Sequence, residues 1–287
     1  MTAPAVPDYT TDEFFGLADA WLETAPGELT HYHELGAGTP ILFLHGSGTG
    51  VTAAANWWLN LAAISEYGRC IAIDSIGYGQ TVVAEGTEYG IKEWVRHAVR
   101  VLDALGIDKT WIVGNSLGGW LAFQFAIDFP DRLLGVVSMG TGGAQLTGAL
   151  AAHSQPDLSP AGIRATLEKF VVDTSLVTDE LVELRYRAAL NDTASDRLAA
   201  VVAARDRDRY ALPLDFDVLR QLELPVLLIH GMRDAVIPVS RTWELLNVIP
   251  GADAHIFSRC GPWSQVERSA EFNEIVTQFL AAHGVSR

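Results

Sequence analysis

The stretch Gly114-Asn115-Ser116-Leu117-Gly118-Gly119 decides the fold of this chain. An apolar run over 110–113 precedes it and is typical of a buried strand, while a helical pattern follows from Leu117 to about Asp128. A Gly-x-Ser-x-Gly-type sequence between a strand and a helix is a nucleophile elbow, a tight turn that exposes the serine hydroxyl. The sequence therefore predicts Ser116 as a nucleophile at a helix N-terminus, where free N–H groups stabilise negative charge.

A serine nucleophile of this kind needs an acid and then a base, in that chain order. The acid is Asp234, which follows a strand-like run over 225–231. The base should follow the next predicted strand, 254–258, where the chain reads Arg259-Cys260-Gly261-Pro262-Trp263. The position expected to hold a catalytic histidine therefore holds Pro262, which has neither an ionisable group nor an N–H.

Composition restricts the class of protein and of partner. A chain of 287 residues that is 49% apolar and 19% charged is long enough for one large α/β domain with an insertion. Its net charge of −15 argues against nucleic acid or an anionic membrane as a partner. An acidic substrate would need a local cation in the pocket. Two cysteines, Cys70 and Cys260, form no disulfide framework and favour a cytoplasmic location.

Several features are not found in the sequence. The N-terminal stretch lacks a signal-peptide pattern, and no apolar run reaches the roughly 18 residues of a membrane span. No His, Cys, Asp and Glu cluster has metal-ligand spacing, and the Gly-rich loops do not match a dinucleotide fingerprint. We therefore expect no metal and no cofactor.

Strand-like and helix-like patterns alternate along most of the chain, which predicts a mostly parallel, doubly wound sheet with helices on both faces. Ligands of such sheets bind beyond the carboxyl ends of the strands, where Ser47, Ser116 and Asp234 all fall. The stretch 144–212 is helical and strand-free, so we expect an inserted lid. The predicted organisation is a core, first part, at 1–143, the lid at 144–212, and a core, second part, at 213–287.

Local patterns give further expectations. The stretch 14–22 is a short amphipathic piece, 29–35 is an edge strand, and 56–67 is a helix. His97 lies off the apolar stripe of the predicted helix 91–105 and should be solvated. Asp74 could serve as the triad acid, but we favour a turn-holding role because it precedes Ser116.

Together these residues resemble the α/β-hydrolase superfamily and, more narrowly, the meta-cleavage-product hydrolases, which cleave a carbon–carbon bond in acids made by aromatic ring fission. The resemblance covers nearly the whole chain. The stretches that carry it are His45-Gly46-Ser47-Gly48, Asn56-Trp57, Gly114-Asn115-Ser116, 173–186 in the lid, 231–238, and Arg259-Cys260-Gly261 with Trp263.

The resemblance implies a role for each matching residue. Ser116 would be the nucleophile or water-positioning hydroxyl and Asp234 the acid that orients the base. The N–H groups of Ser47 and Leu117 would form the oxyanion hole. Arg185 would pair with the carboxylate of a small acidic or phenolic substrate. The residues that would bind this substrate are Gly46, Asn56, Asn115, Arg185 and Trp263. Arg185 also has a plainer interpretation as a solvated lid arginine.

The chain departs from the family pattern at Thr49, where proline is usual, and at Pro262, where the catalytic histidine stands. Three hypotheses remain open. The first is a carbon–carbon or ester hydrolase. It either uses a substitute base, for which His153 is the one candidate that we retain, or carries Pro262 as a variant of a once-active enzyme. The second is a non-hydrolytic enzyme that enolises, cyclises or couples its substrate. The third is a ligand-binding homologue without turnover. The sequence leaves the substrate and the oligomeric state, including a homo-oligomer, undecided.

Overall fold

The structure, a computed structural model, describes residues 11–143, 157–194 and 197–286. Eight strands form one sheet in the described part of the chain. Their bounds are β1 Ala20–Ala25, β2 Glu28–Leu35, β3 Pro40–Leu44, β4 Arg69–Ile73, β5 Thr110–Asn115, β6 Leu133–Met139, β7 Val226–Gly231 and β8 Asp253–Phe257.

The strand order across the sheet is β1-β2-β4-β3-β5-β6-β7-β8. All pairs from β4 to β8 are parallel, and only β1 and β2 join antiparallel. Parallel strands end at the same edge of a sheet, so the loops after β3, β5 and β7 meet there. This topology confirms the predicted mostly parallel, doubly wound sheet.

Helices cover both faces of the sheet, because successive residues of the central strands pack apolar side chains on opposite faces. Phe43 and Val113 pack into one hydrophobic cluster, while their neighbours Leu42 and Ile112 pack into the other. The helices of four or more residues are α1 Asp12–Phe15, α2 Ala53–Trp57, α3 Leu61–Ile64, α4 Ile91–Ala104, α5 Leu117–Asp128, α6 Pro160–Leu167, α7 Asp179–Ala194, α8 Arg197–Ala211, α9 Phe216–Leu219, α10 Ser240–Val248, α11 Ser264–Glu267 and α12 Ser269–Ala282.

The described part of the segment between β6 and β7 consists of helices joined by loops. It contains α6, α7, α8 and α9, and no strand lies within 157–194 or 197–212. Helix α8 is fixed to the core because Asp208 Oδ2 accepts a hydrogen bond from the backbone N–H of Ile91, at the start of α4, at 2.7 Å. The carboxylate thereby satisfies a free N–H at a helix N-terminus.

The first strand was missed in the sequence. The stretch 14–22 is not one amphipathic piece, because it holds the end of α1 and the start of β1. A hairpin joins β1 to β2 through Pro26-Gly27, with Gly27 at φ +79°, and this dipeptide was an available turn signal. Since β1 is the edge, the prediction that 29–35 is an edge strand was wrong.

Two further expectations were wrong. His97 is fully buried, and its Nε2 lies 2.8 Å from Thr30 Oγ1. The burial of His97 was not predicted because β1 and β2 cover a face of α4 that lies outside the apolar stripe of this helix. The helix expected over 56–67 is two short helices, α2 and α3, separated at 58–60.

Candidate active site

Ser116 sits at the turn between β5 and α5 with φ +53° and ψ −106°, and it is the one non-glycine residue with positive φ in the described chain. Such a conformation persists only when its surroundings hold it. The N–H of Ser116 donates to Met139 O at 2.9 Å. Its carbonyl accepts from Gly142 N at 2.9 Å and Trp120 N at 3.1 Å. The strained turn predicted from the motif is therefore present.

The glycines of the motif allow close contact between β3, β5 and α5. A Cβ atom at Gly118 would clash with the carbonyl oxygen of Leu44, and one at Gly114 would clash with the carbonyl oxygen of Gly118. Neither contact leaves room for a side chain. The start of α5 is thus pressed against the end of β3, beside the loop that carries Ser47.

A cavity opens over Ser116 at the carboxyl edge of the sheet, and together with its open mouth it encloses about 420 Å³ of empty space. Nine residues singled out from the sequence line it: Gly46, Ser47, Asn56, Asn115, Ser116, Arg185, Asp234, Pro262 and Trp263. Leu117 does not line the cavity, but it is the first residue of α5 and directly follows Ser116. The fold therefore brings together residues that are up to 217 positions apart, from Gly46 to Trp263.

No histidine or lysine of the described chain lines the cavity around Ser116. Its hydroxyl makes no hydrogen bond to a described side chain, and Pro262 forms part of the cavity wall. Among the described lining residues, only Arg185 and Asp234 carry ionisable side chains. His153, the candidate substitute base, lies outside the described residues.

Asp234 follows β7 and is held by the turn after it. Its Oδ1 accepts hydrogen bonds from Val236 N at 2.7 Å and Ile237 N at 2.8 Å. Its Oδ2 lies 3.2 Å from His230 Nε2, and the side chain is only 1% exposed. The two backbone donors fix the orientation of the carboxylate, which lies near Pro262 at the edge of the cavity.

His45 and His230 are structural. His230 is fully buried, with Nδ1 2.7 Å from Thr242 Oγ1 and Nε2 2.9 Å from Ile237 O. His45 Nδ1 lies 2.6 Å from Gly46 O, and its Nε2 accepts a hydrogen bond from Ser75 N at 3.0 Å. Burial lowers the pKa of His45. Because both rings are already engaged and neither lines the cavity, neither can take the proton of Ser116.

Arg185 lies on the inner face of α7 and is 2% exposed. Its guanidinium carbon stands 5.7 Å from the ring centroid of Trp263, within reach of a cation–π interaction. The interpretation as a solvated lid arginine is therefore wrong, because the side chain is buried and lines the cavity. A buried guanidinium is suited to a planar carboxylate, which it can bind in a bidentate manner.

The opposite wall of the cavity carries amides. The N–H of Gly46 donates to Asn56 Oδ1 at 3.5 Å, and a Cβ at Gly46 would lie 2.9 Å from Asn115 Oδ1. Asn56 Nδ2 is buried and has no hydrogen-bond partner in the described chain. A buried amide donor of this kind is costly unless a ligand or water satisfies it, so Asn56 offers a donor to a ligand.

The sequence did not reveal a contact between the helices that follow β6 and the loop that carries Ser47. Arg205 of α8 donates to Ser47 Oγ at 3.3 Å, and the same guanidinium binds Asp206 Oδ1 at 2.9 and 3.0 Å. The run 205–209 had shown only alternating charges. Phe170, Val51, Val236 and Ile237, which also line the cavity, had no local motif to mark them.

A buried ionic chain lies outside this cavity. His31 Nδ1 is 2.7 Å from Asp74 Oδ2, and its Nε2 is 2.9 Å from Asp19 Oδ1. Burial lowers the pKa of His31, but Asp74 and Asp19 outweigh it and raise the pKa to about 9. Asp74 also accepts hydrogen bonds from Ala53 N at 2.6 Å and Gln80 N at 2.9 Å, so its expected turn-holding role is confirmed.

The same region contains a spacing that the sequence did not reveal. Possible ligand atoms of Asp19, His31 and His33 lie within 4.8 Å of one another. Both ring nitrogens of His31 face carboxylates, and His33 Nδ1 is 2.9 Å from Ala18 O. Because hydrogen bonds account for these groups, we assign them a structural role.

The two thiols are buried and offer no alternative nucleophile. Burial raises the pKa of Cys70 and of Cys260 to about 12. Thiols react as thiolates, so both side chains are inert near neutral pH.

In the described part of the chain, no helix is both long and apolar enough to cross a membrane.

Comparisons with known proteins agree with this fold. The family model described as the alpha/beta hydrolase fold matches residues 39–269. A 2-hydroxy-6-oxo-2,4-heptadienoate hydrolase from Pseudomonas putida is 40% identical over 261 residues, which cover 90% of this chain and 95% of the relative. A 2-hydroxymuconate semialdehyde hydrolase from a Pseudomonas species is 40% identical over 260 residues, covering 90% and 92%.

Solved structures extend the likeness to three dimensions. A meta-cleavage product hydrolase mutant from Pseudomonas fluorescens, in complex with acetates, superposes with a TM-score of 0.84. It is 36% identical, and the match covers 93% of this chain and 98% of that one. The chain belongs to the α/β-hydrolase fold family, and its relatives there are hydrolases of ring-fission products.

Proposed function

We propose that the protein is a hydrolase of 2-hydroxy-6-oxo-dienoate acids and cleaves the carbon–carbon bond next to their 6-oxo group. One observation carries the proposal. The same cavity is lined by Ser116, the serine of the nucleophile elbow, and by the buried guanidinium of Arg185. The substrate class has a carbonyl and a carboxylate at its two ends. Curated relatives of 40% identity are named for such substrates.

Each end of the substrate has a chemical partner in the cavity. Arg185 would bind the carboxylate through a charge-assisted, bidentate pair. The backbone N–H groups of Ser47 and Leu117 would stabilise negative charge on the 6-oxo oxygen. The amides of Asn56 and Asn115 would hold the dienoate between them. This orientation would bring the 6-oxo carbon to the hydroxyl of Ser116.

The missing base restricts how fast this chemistry can run. In a serine protease, loss of the catalytic histidine lowers turnover by about 10⁶ and leaves about 10³–10⁴ over water. Asp234 borders the same cavity, and a carboxylate there can accept a proton through one water molecule. We therefore expect slow hydrolysis by the protein alone.

A second candidate function is ketonisation of the dienoate without cleavage. It is favoured because the hydroxyl of Ser116 makes no hydrogen bond to a described side chain that could activate it. The groups that would polarise a carbonyl are instead backbone N–H donors, which do not depend on that hydroxyl. Enolisation and its reversal require polarisation and proton transfer but no nucleophile. The dienoate would then leave the cavity as its 2,6-dioxo isomer.

Product analysis separates the two candidates. The purified protein is incubated with 2-hydroxy-6-oxohepta-2,4-dienoate, and the products are identified by NMR. Hydrolysis yields acetate and 2-hydroxypenta-2,4-dienoate, while ketonisation yields an isomer of unchanged mass. We expect acetate to form, and Ser116→Ala to abolish it while leaving any ketonisation within about threefold, since the backbone donors remain. Binding of the dienoate without either product would contradict both functions.

A further inference from the structure

Arg205 of α8 reaches the loop that carries Ser47, although it lies 158 positions further along the chain. Its Nη1 donates a hydrogen bond to Ser47 Oγ at 3.3 Å. Its Nε and Nη2 both donate to Asp206 Oδ1, at 3.0 and 2.9 Å. Because a guanidinium is planar, the double contact with Asp206 fixes the direction in which Nη1 points. The bond to Ser47 is therefore made by a side chain that is already oriented.

The face of α8 that carries Arg205 is anchored to the core on both sides of this residue. Val201 and Ala204 are buried in the same hydrophobic cluster. On the other side, Asp208 Oδ2 accepts a hydrogen bond from Ile91 N at 2.7 Å. Residues three and four positions apart share one face of a helix, so these anchors hold Arg205 toward the core.

The loop that carries Ser47 is held differently on its two sides. Before Ser47, His45 Nδ1 lies 2.6 Å from Gly46 O. The C=O and N–H of one trans peptide point in opposite directions, so this contact directs the N–H of Ser47 away from His45. After Ser47, the described chain shows only a long hydrogen bond, from Val51 N to Gly48 O at 3.4 Å. Arg205 thus holds Ser47 where the backbone of the loop holds it weakly.

The contact with Arg205 also restricts the hydroxyl proton of Ser47. A guanidinium donates hydrogen bonds and accepts none, so Ser47 Oγ is the acceptor and its own proton points elsewhere. No described residue accepts that proton. Ser47 lines the cavity, and a Cβ atom at the neighbouring Gly46 would lie 3.5 Å from Ser116 Cβ. The proton is therefore available to an oxygen atom of a ligand near Ser116.

We propose that Arg205 is a positioning residue for the oxyanion side of the cavity. It holds Ser47 so that the N–H and the hydroxyl of this serine both face the 6-oxo oxygen of the acid. Arg205 is not among the described residues that line the cavity, so it acts through Ser47. The inference deepens the proposed function and rests on it for the identity of that oxygen.

Kinetics of the variant Arg205→Gln test this role. Acetate release from 2-hydroxy-6-oxohepta-2,4-dienoate gives kcat and KM. Loss of a whole oxyanion donor lowers kcat by about 10²–10³, and we expect a donor that is merely misplaced to lower it by about tenfold. KM should stay within about twofold, because these donors act mainly on the charge that develops in the transition state.

Arg209→Gln is the matched control. Arg209 lies on the same helix and contacts the same Asp206 Oδ1, at 3.2 Å, but it makes no hydrogen bond to Ser47 in the described chain. This variant should keep kcat within about twofold. An equal loss in Arg205→Gln and Arg209→Gln would mean that both act through the charge or the stability of α8, and would overturn the proposal.

A double-mutant cycle with Ser47→Ala shows whether Arg205 acts through Ser47. Residues that act through a shared contact are not additive. In the Ser47→Ala protein, the further change Arg205→Gln should therefore lower kcat by less than about twofold. A full tenfold loss in that background would contradict a role through the Ser47 hydroxyl.

Nitrogen-15 relaxation of the ligand-free protein tests the contact apart from the proposed function. The order parameter of the Ser47 amide should be near the rigid value of about 0.85 in the unmodified protein and in Arg209→Gln. It should fall toward about 0.6 in Arg205→Gln. An unchanged order parameter in Arg205→Gln overturns the proposal even if acetate is formed. A lowered one, with no acetate from the unmodified protein, supports the positioning contact and contradicts the proposed function instead.

Discussion

Pro262 separates two properties that a histidine at the same position would combine. Under the proposed function, binding of the acid would depend on Arg185 and on the amides that line the cavity, whereas turnover would depend on a proton acceptor for Ser116. Because turnover is expected to be slow, the effect of a change in the cavity on affinity can be measured before much of the acid is consumed. This makes the protein a suitable case for testing each contact with the acid separately.

Arg185 should control affinity for the carboxylate. Arg185→Gln removes the charge but keeps a polar side chain, and hydrogen bonds to charged groups contribute about 1.5–3 kcal/mol. We expect the Kd of the dienoate acid to rise by about 10- to 100-fold, since 1.4 kcal/mol corresponds to tenfold. Quenching of tryptophan fluorescence, to which Trp263 contributes, measures the binding.

The methyl ester of the same dienoate is the matched control for that variant. It keeps the carbonyl and the diene but has no anionic carboxylate for the guanidinium to bind. The unmodified protein and Arg185→Gln should therefore bind the ester equally. An equal loss of affinity for acid and ester would instead mean that Arg185 supports the cavity wall through its contact with Trp263.

At the scale of elements, the site depends on how closely α5 approaches β3. Gly118 lies within α5, where alanine is favoured over glycine by about 1 kcal/mol. A Cβ atom there would clash with Leu44 O, so packing opposes propensity. We expect Gly118→Ala to lower the free energy of unfolding by about 3 kcal/mol or more, since the clash is with backbone. Urea unfolding followed by circular dichroism measures it.

The sign of this effect is itself diagnostic. If α5 could shift away from β3, propensity would dominate and Gly118→Ala would be neutral or stabilising. Ala122→Gly, on the same helix and also buried, is the control for propensity and should cost about 1 kcal/mol or more. A neutral Gly118→Ala beside a destabilising Ala122→Gly would contradict the close packing of the elbow.

The elements that the sequence predicted well are those with strong local patterns. The continuous apolar runs of β3 to β7 and the glycines around Ser116 are local consequences of burial and of a tight turn. By contrast, β1 is only partly buried along its length, so its pattern is weak. Arg205 contacts Ser47 and Phe170 lines the cavity only because the helical segment between β6 and β7 packs there, and no local periodicity encodes that arrangement.

At the scale of the whole molecule, a parallel sheet explains why so many of the residues predicted for the site line one cavity. Its strands deliver their following loops to one edge, so motifs far apart in the chain share a cavity. The protein as a whole carries a charge of −15, which repels an acidic ligand. Under the proposed function, the buried cation Arg185 would have to supply a local attraction that the overall field opposes.

The stability of the whole molecule should depend on pH through the buried ion chain around His31. Its pKa is raised to about 9 in the folded state, against an ordinary value of 6.5. The stabilisation is therefore fully present below pH 6.5 and is lost as the pH rises through about 9. A shift of this size corresponds to on the order of 3 kcal/mol in the free energy of unfolding.

The difference between the unmodified protein and a variant without His31 isolates this contribution between pH 7 and 9. Burial lowers the pKa of three other histidines, His33, His45 and His97, so their effects fall mainly below pH 6.5. Asp74, with a pKa of about 2, changes charge only in acid. The raised pKa of Cys70 and Cys260 adds a loss of stability as the pH approaches 9, and this loss is common to both proteins. Urea unfolding at pH 7, 8 and 9 should therefore show a steeper loss in the unmodified protein than in His31→Gln, which cannot titrate. Parallel curves for the two proteins would mean that His31 is neutral in the fold and that Asp19 and Asp74 are stabilised by their other hydrogen bonds.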